Sequence, residues 1–185
     1  MAITNSNITL VENANIFLTS LDTITVTVNC KGVMGKGVAL VAKDLAPDMF
    51  EFYEKLCQNK KMQLGKPVIF DEPSKYLKPH NGDRKKILLF PTKDHWKNEA
   101  NINGIKKGLE WLVDNYKKCQ IESLAIPALG CGNGGLDWEK VGPMLYQYLL
   151  QLDVPVELYL PNKTIPKEYL HEDYLLSGPK KITDF

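Results

Sequence analysis

Apolar and β-branched runs at Ile8 to Val11, Ile24 to Val28, Val68 to Phe70, Ile87 to Phe90, Leu124 to Ile126 and Val156 to Leu160 predict strands, because polar or turn-forming residues bound each one. Between them the period lengthens. Met49, Phe52, Tyr53 and Leu56 recur at helical spacing, as do Ile102, Ile105, Leu109, Leu112, Val113 and Tyr116. Val141, Met144, Leu145, Tyr148, Leu149 and Leu152 form the clearest amphipathic stripe, and a short helix is expected from Gly37 to Ala46, where Pro47 ends it. Strands alternating with helices imply a three-layer α/β/α domain around a mixed, mostly parallel sheet. Ligands of such sheets bind beyond the carboxyl ends of the strands, where loops feed helix amino termini. The domain is expected over residues 1–161, with residues 162–185 as a loosely patterned extension: a cap, a linker or a cut edge.

A chain of 185 residues, 44% hydrophobic and 24% charged, suits one globular domain. The start, Met1 to Asn7, lacks the pattern of a signal peptide and no apolar run reaches membrane-spanning length, so a cytoplasmic protein is expected. Cys30, Cys57, Cys119 and Cys131 form no CxxC pair and read as reduced thiols; neither a metal site nor a cofactor is expected. A net charge of +1 argues against bulk coating of nucleic acid. Basic residues nevertheless crowd between Lys55 and Lys97, including Lys60, Lys61, Lys66, Lys75, Lys78, Arg84, Lys85, Lys86 and Lys93. That stretch is either a solvated surface or a local polyanion contact.

The candidate chemistry lies in two glycine loops. Asn29-Cys30-Lys31-Gly32-Val33-Met34-Gly35-Lys36-Gly37 joins a strand to a helix, where glycines let a ligand approach and free N–H groups attract an anion. It lacks the GxGxxG and GKS/T patterns, and taken singly it reads as a phosphate loop or as a structural turn. Gly130-Cys131-Gly132-Asn133-Gly134-Gly135 again follows a strand and precedes a helix near Asp137. Four glycines in six residues exceed the needs of one tight turn, since each glycine raises the entropy lost on folding. Both loops at one sheet edge would suit a nucleotide diphosphate.

The runs TVNCKGVMGKGVAL, FPTKDHW and ALGCGNGGLDW, in this order, resemble the macro domain of the DNA ADP-ribosyl glycohydrolase antitoxins of the DarG type, over roughly Ile8 to Pro161. The chain is similar, more distantly, to the terminal ADP-ribose protein glycohydrolases. The resemblance implies that Asn29 holds the distal ribose, that Met34, Gly35, Lys36, Gly37 and Val38 wrap it, and that Gly130, Cys131, Gly132, Asn133, Gly134 and Gly135 bind the diphosphate. Asn15, followed by Ile16, stands where the family has an adenine-binding aspartate; an amide oxygen accepts a hydrogen bond but without charge assistance. Thr92-Lys93 matches the catalytic lysine of both families.

At the anomeric carbon a lysine has two available roles: attack by the free amine to form a Schiff base, or stabilisation of the departing group by the ammonium. The sequence leaves both open. The protein-directed relatives carry an aspartate in the second loop where this chain has Gly134, which favours the DNA-directed family; Asp137 reads as an amino-terminal helix cap. His95 and Trp96 follow the lysine where an attached base would pass and are the candidate nucleobase contacts; Trp96 either stacks on the base or packs the loop onto the core. His80 and His171 receive no role. The expected activity is removal of ADP-ribose from a modified base, thymine by resemblance, in single-stranded DNA, with a DNA ADP-ribosyltransferase toxin as partner. The alternatives are a hydrolase for ADP-ribosylated protein carboxylates and a non-catalytic ADP-ribose reader. Antitoxins of this type carry a further toxin-holding domain for which 185 residues leave no room, so a stand-alone protein or a fragment is expected.

Overall fold

A computed structural model describes residues 7–72 and 85–179. Lys75, Lys78, His80 and Arg84, named above, lie outside the described residues, as do Met1 to Ser6 and the last six residues. All the strands expected from the pattern form, as β1 (Ile8–Val11), β2 (Thr23–Asn29), β3 (Val68–Phe70), β4 (Lys86–Lys93), β5 (Leu124–Pro127) and β6 (Val156–Tyr159). They make one sheet of order β1-β6-β5-β2-β4-β3, parallel except for the antiparallel β3–β4 edge. The central strands β2 and β4 are buried over nearly their whole length, as expected for a sheet covered on both faces.

Alternation along the strands supplies two cores. Leu88 and Phe90 point to the face covered by α3 (Ile102–Asn115) and α4 (Trp138–Leu149), joining Ile105, Leu109, Leu112, Val141 and Leu145. Ile87 and Leu89, with Val26 and Val28, point to the opposite face under α1 (Gly37–Leu45) and α2 (Pro47–Gln58), where Met49 and Tyr53 are fully buried. Strand β4 extends beyond the apolar pattern, through Pro91 and Thr92 to Lys93. A bulge at Val28/Asn29 shifts its register, so that Val28 pairs with Pro91 and Asn29 with Lys93.

The carboxyl-terminal stretch, read as a cap, a linker or a cut edge, packs against α4 as far as Gly178. A fifth helix, α5 (Glu172–Ser177), lies on α4 with Leu175 buried. Pro143 inside α4 has no N–H to give the Glu139 carbonyl, and the Tyr174 hydroxyl from α5 donates to that carbonyl at 3.1 Å. The Trp138 indole N–H donates to the Tyr169 carbonyl at 3.1 Å, and the Tyr146 hydroxyl to Glu172 Oε1 at 3.1 Å. Asp137 stands at the cap position of α4, but its carboxylate accepts no cap hydrogen bond and lies 3.9 Å from Lys163 Nζ. The expected side-chain cap is therefore corrected.

The basic stretch is also not one surface. Lys55, Lys60, Lys61, Lys66 and Lys97 are exposed, whereas Lys85 is buried and donates to the carbonyls of Thr19 and Leu21. Burial pushes its pKa down, against the opposing pull of Asp22 and Glu157. Among the described residues no helix is long and apolar enough to cross a membrane.

Candidate functional site

An open cleft of about 1170 Å³ lies at the carboxyl ends of β2, β4, β5 and β6, the edge at which ligands of such sheets bind. The two glycine loops form its walls. In the first, Asn29 ends β2 and turns its buried side chain into the loop: Nδ2 donates to Val33 O at 2.6 Å, and Oδ1 accepts from Lys31 N at 2.9 Å and Val33 N at 3.4 Å. The Tyr53 hydroxyl, from α2, donates to the Asn29 backbone oxygen at 2.8 Å. Met34 is turned into the core under α1 and α2, away from the cleft, while Gly35, Lys36, Gly37 and Val38 line it. Lys36 offers no side-chain cap to α1, so the N–H groups of Gly37, Val38 and Ala39 stand at the cleft without an acceptor among the described residues.

The second loop is shaped by its own backbone. Gly130 and Gly135 have φ of +78° and +76°, conformations that favour glycine. A methyl on Gly134 would come within 2.7 Å of Gly130 Cα, whereas one on Gly132 would meet nothing within 4 Å. The N–H groups of Gly132, Asn133 and Gly134 donate to no protein acceptor among the described residues. Gly130, Gly132, Asn133, Gly134 and Gly135 line the cleft. Cys131 does not: it is buried in the core, and desolvation pushes its thiol up to about 11.

Strand β4 carries Thr92 and Lys93 between these walls. Lys93 Nζ, at the cleft, donates to Asn133 O at 2.7 Å, and a methyl on Gly37 would sit 3.0 Å from Asn133 Nδ2, so Asn133 touches both the lysine and the first loop. Beyond the strand, Ala100 N donates to Gly134 O and Asn101 N to Thr92 O, both at 2.8 Å, which pins residues 92–101 across the second loop. Trp96 lines the cleft and is 49% exposed; it does not pack the loop onto the core. His95 is outside the lining and stacks on Trp96, with ring centroids 5.5 Å apart, while Lys97 Nζ lies 5.0 Å from the indole.

A family model for the macro domain matches residues 26–145, which include both loops and Lys93. The chain belongs to the macro domain family. It is 44% identical over 182 residues to a DNA ADP-ribosyl transferase–DNA ADP-ribosyl glycohydrolase fusion protein of Thermosipho africanus, covering 93% of this chain and 47% of that protein. The structure of Thermosipho africanus DarTG in complex with ADP-ribose superposes with a TM-score of 0.87 at 44% identity, over 92% of this chain and 46% of that one. The macrodomain of Mycobacterium tuberculosis DarG superposes with a TM-score of 0.73 at 36% identity, over 82% of this chain and 97% of that one. The chain spans less than half the length of the Thermosipho fusion protein.

The far end of this macro domain's cleft is built after β1. Asn15 caps the 3-10 turn Ile16–Leu18 by accepting from Phe17 N at 3.0 Å, so its amide oxygen already serves the chain with one lone pair. Asn15 and Ile16 both line the cleft. Below them Tyr159, whose hydroxyl donates to Glu157 at 2.8 Å, joins the lining with Leu160, Pro161 and Asn162. Burial, and then Glu157, push the Tyr159 phenol up to about 12. The sequence reading missed Phe17, Val33, Val41, Glu99 and the segment after β6. For that last segment a signal existed, because β6 ends at the same sheet edge as β2, β4 and β5. No group of His, Cys, Asp and Glu suited to hold a metal occurs among the described residues.

Proposed function

We propose that this macro domain binds ADP-ribose and hydrolyses it from a modified base in single-stranded DNA. The observation that carries the reading is the setting of Lys93: its amine stands at the cleft between two glycine loops, held among the described residues by the Asn133 carbonyl alone, at 2.7 Å. The diphosphate sits against the free N–H groups of Gly132, Asn133 and Gly134 and the amino terminus of α1, which together supply donors without a side-chain charge. Adenine occupies the end at Asn15 and Ile16, accepting or donating through the remaining capacity of the Asn15 amide. The distal ribose then lies by Gly35, Lys36, Gly37 and Val38, with its anomeric carbon at Lys93. Asn29, occupied in holding the first loop, shapes this end from beneath.

The released base leaves past Trp96, whose exposed indole suits stacking on a nucleobase. The likeness to the Thermosipho fusion protein, whose name joins the two activities, supports a role opposite a DNA ADP-ribosyltransferase. The test offers the purified protein two substrates in parallel: a single-stranded oligonucleotide carrying ADP-ribosylated thymine, and a protein carrying ADP-ribosyl glutamate. Release of ADP-ribose from the oligonucleotide at a much higher kcat/KM supports the reading. Preference for the glutamate ester moves the substrate to protein, and tight ADP-ribose binding with no turnover on either reduces the domain to a reader.

A further inference from the structure

Hydrolysis at an anomeric carbon needs a group that accepts the proton of the attacking water. Among the described residues lining the cleft, Glu99 is the one carboxylate, and no histidine lines it. The neighbouring acids are outside the lining and already engaged: Asp94 pairs with Lys31 at 3.4 Å, Asp137 lies 3.9 Å from Lys163, and Glu157 accepts from the hydroxyls of Thr19 and Tyr159. Glu99 has no hydrogen bond or ion pair to any described residue, although Lys36, Lys93 and Lys97 line the same cleft.

Its backbone is tied down by its neighbours, and its side chain is exposed. The Ala100 and Asn101 N–H groups tie the backbone beside it to Gly134 O and Thr92 O, each at 2.8 Å. Its side chain lies over the second loop: a methyl on Gly135 would come within 3.8 Å of Glu99 Oε1. Lys93 reaches the same short stretch of backbone at Asn133. The carboxylate and the amine thus flank residues 133–135.

We propose that Glu99 is the general base of this cleft, accepting a proton from the water that attacks the anomeric carbon. This rests on the glycohydrolase reading above. The water oxygen bonds to the anomeric carbon as the carbon–nitrogen bond breaks, the electron pair stays on the base nitrogen, and the proton held by Glu99 returns to that nitrogen. The products are ADP-ribose and the unmodified base, with every atom of water accounted for.

The experiment uses the ADP-ribosylated oligonucleotide with wild type, Glu99→Gln and Glu99→Ala. Glu99→Gln should lower kcat by about 100-fold or more, the usual scale of general acid–base catalysis, with KM within about threefold and the ADP-ribose melting shift retained. Formate, a small carboxylate able to enter the space left by Glu99→Ala, should restore part of that variant's rate. A Glu99→Gln variant at the wild-type rate overturns the proposal, and so does one that loses ADP-ribose binding together with activity. A wild-type protein that releases no ADP-ribose from the oligonucleotide overturns the glycohydrolase reading as well.

Discussion

The two glycine loops reach the same cleft by different means. The first is held by a side chain: buried Asn29 binds its backbone at Lys31 and Val33, and Tyr53 clamps Asn29 from below. The second is held by its own geometry, with Gly130 and Gly135 in left-handed conformations and Gly134 packed against Gly130. Only Gly132 of that loop has open space around its Cα. A run of glycines is therefore two things at once. Some let the chain pass over itself, and others leave room for what is not protein.

Substitutions can break this distinction. Gly134→Ala should have the largest effect, because a methyl would meet backbone that cannot move aside; a loss of roughly 4 kcal/mol or more is expected, read by denaturant unfolding. Asn29→Ala should cost roughly 2–4 kcal/mol, since it strands loop N–H groups and removes the acceptor beside the buried Tyr53 hydroxyl. A near-neutral Asn29→Ala would mean that the first loop holds itself. Gly132→Val should change stability by less than about 0.5 kcal/mol, yet abolish the rise in Tm caused by ADP-ribose, which in wild type corresponds to about 2.7 kcal/mol at a hundredfold excess over Kd. If that variant keeps the shift, the diphosphate does not lie on the second loop. The smallest effect concerns Cys131: buried, with its pKa raised to about 11, it holds little thiolate at pH 8, and alkylation of the native protein should be far slower there than after unfolding.

Much of this was legible in the sequence. Strands and helices announce themselves through period, and the two loops through glycine content. What periodicity cannot reveal is which way a loop residue faces. Met34 and Cys131 stand within the glycine motifs yet serve the core, and Trp96, which either packing or stacking would explain, is half exposed at the cleft. The cap after β6 was hidden for a different reason. Its short helix covers α4 through contacts such as Tyr174 to the carbonyl freed by Pro143, which depend on residues 35 positions apart. Glu99 carries no motif at all, and only the cleft brings it beside the second loop.

In the proposed function Lys93 acts on the reaction rather than on the fold or on ligand affinity. That role is tested most directly by measuring both turnover and ADP-ribose affinity in Lys93→Ala, with the ADP-ribosylated oligonucleotide as substrate. Among the described residues the amine makes one hydrogen bond, to Asn133 O, and the proposed pose puts most ground-state contacts of the ligand elsewhere in the cleft. Turnover should disappear while the Kd for ADP-ribose stays within about tenfold of wild type. Release of ADP-ribose at the unaltered rate would contradict that role for Lys93.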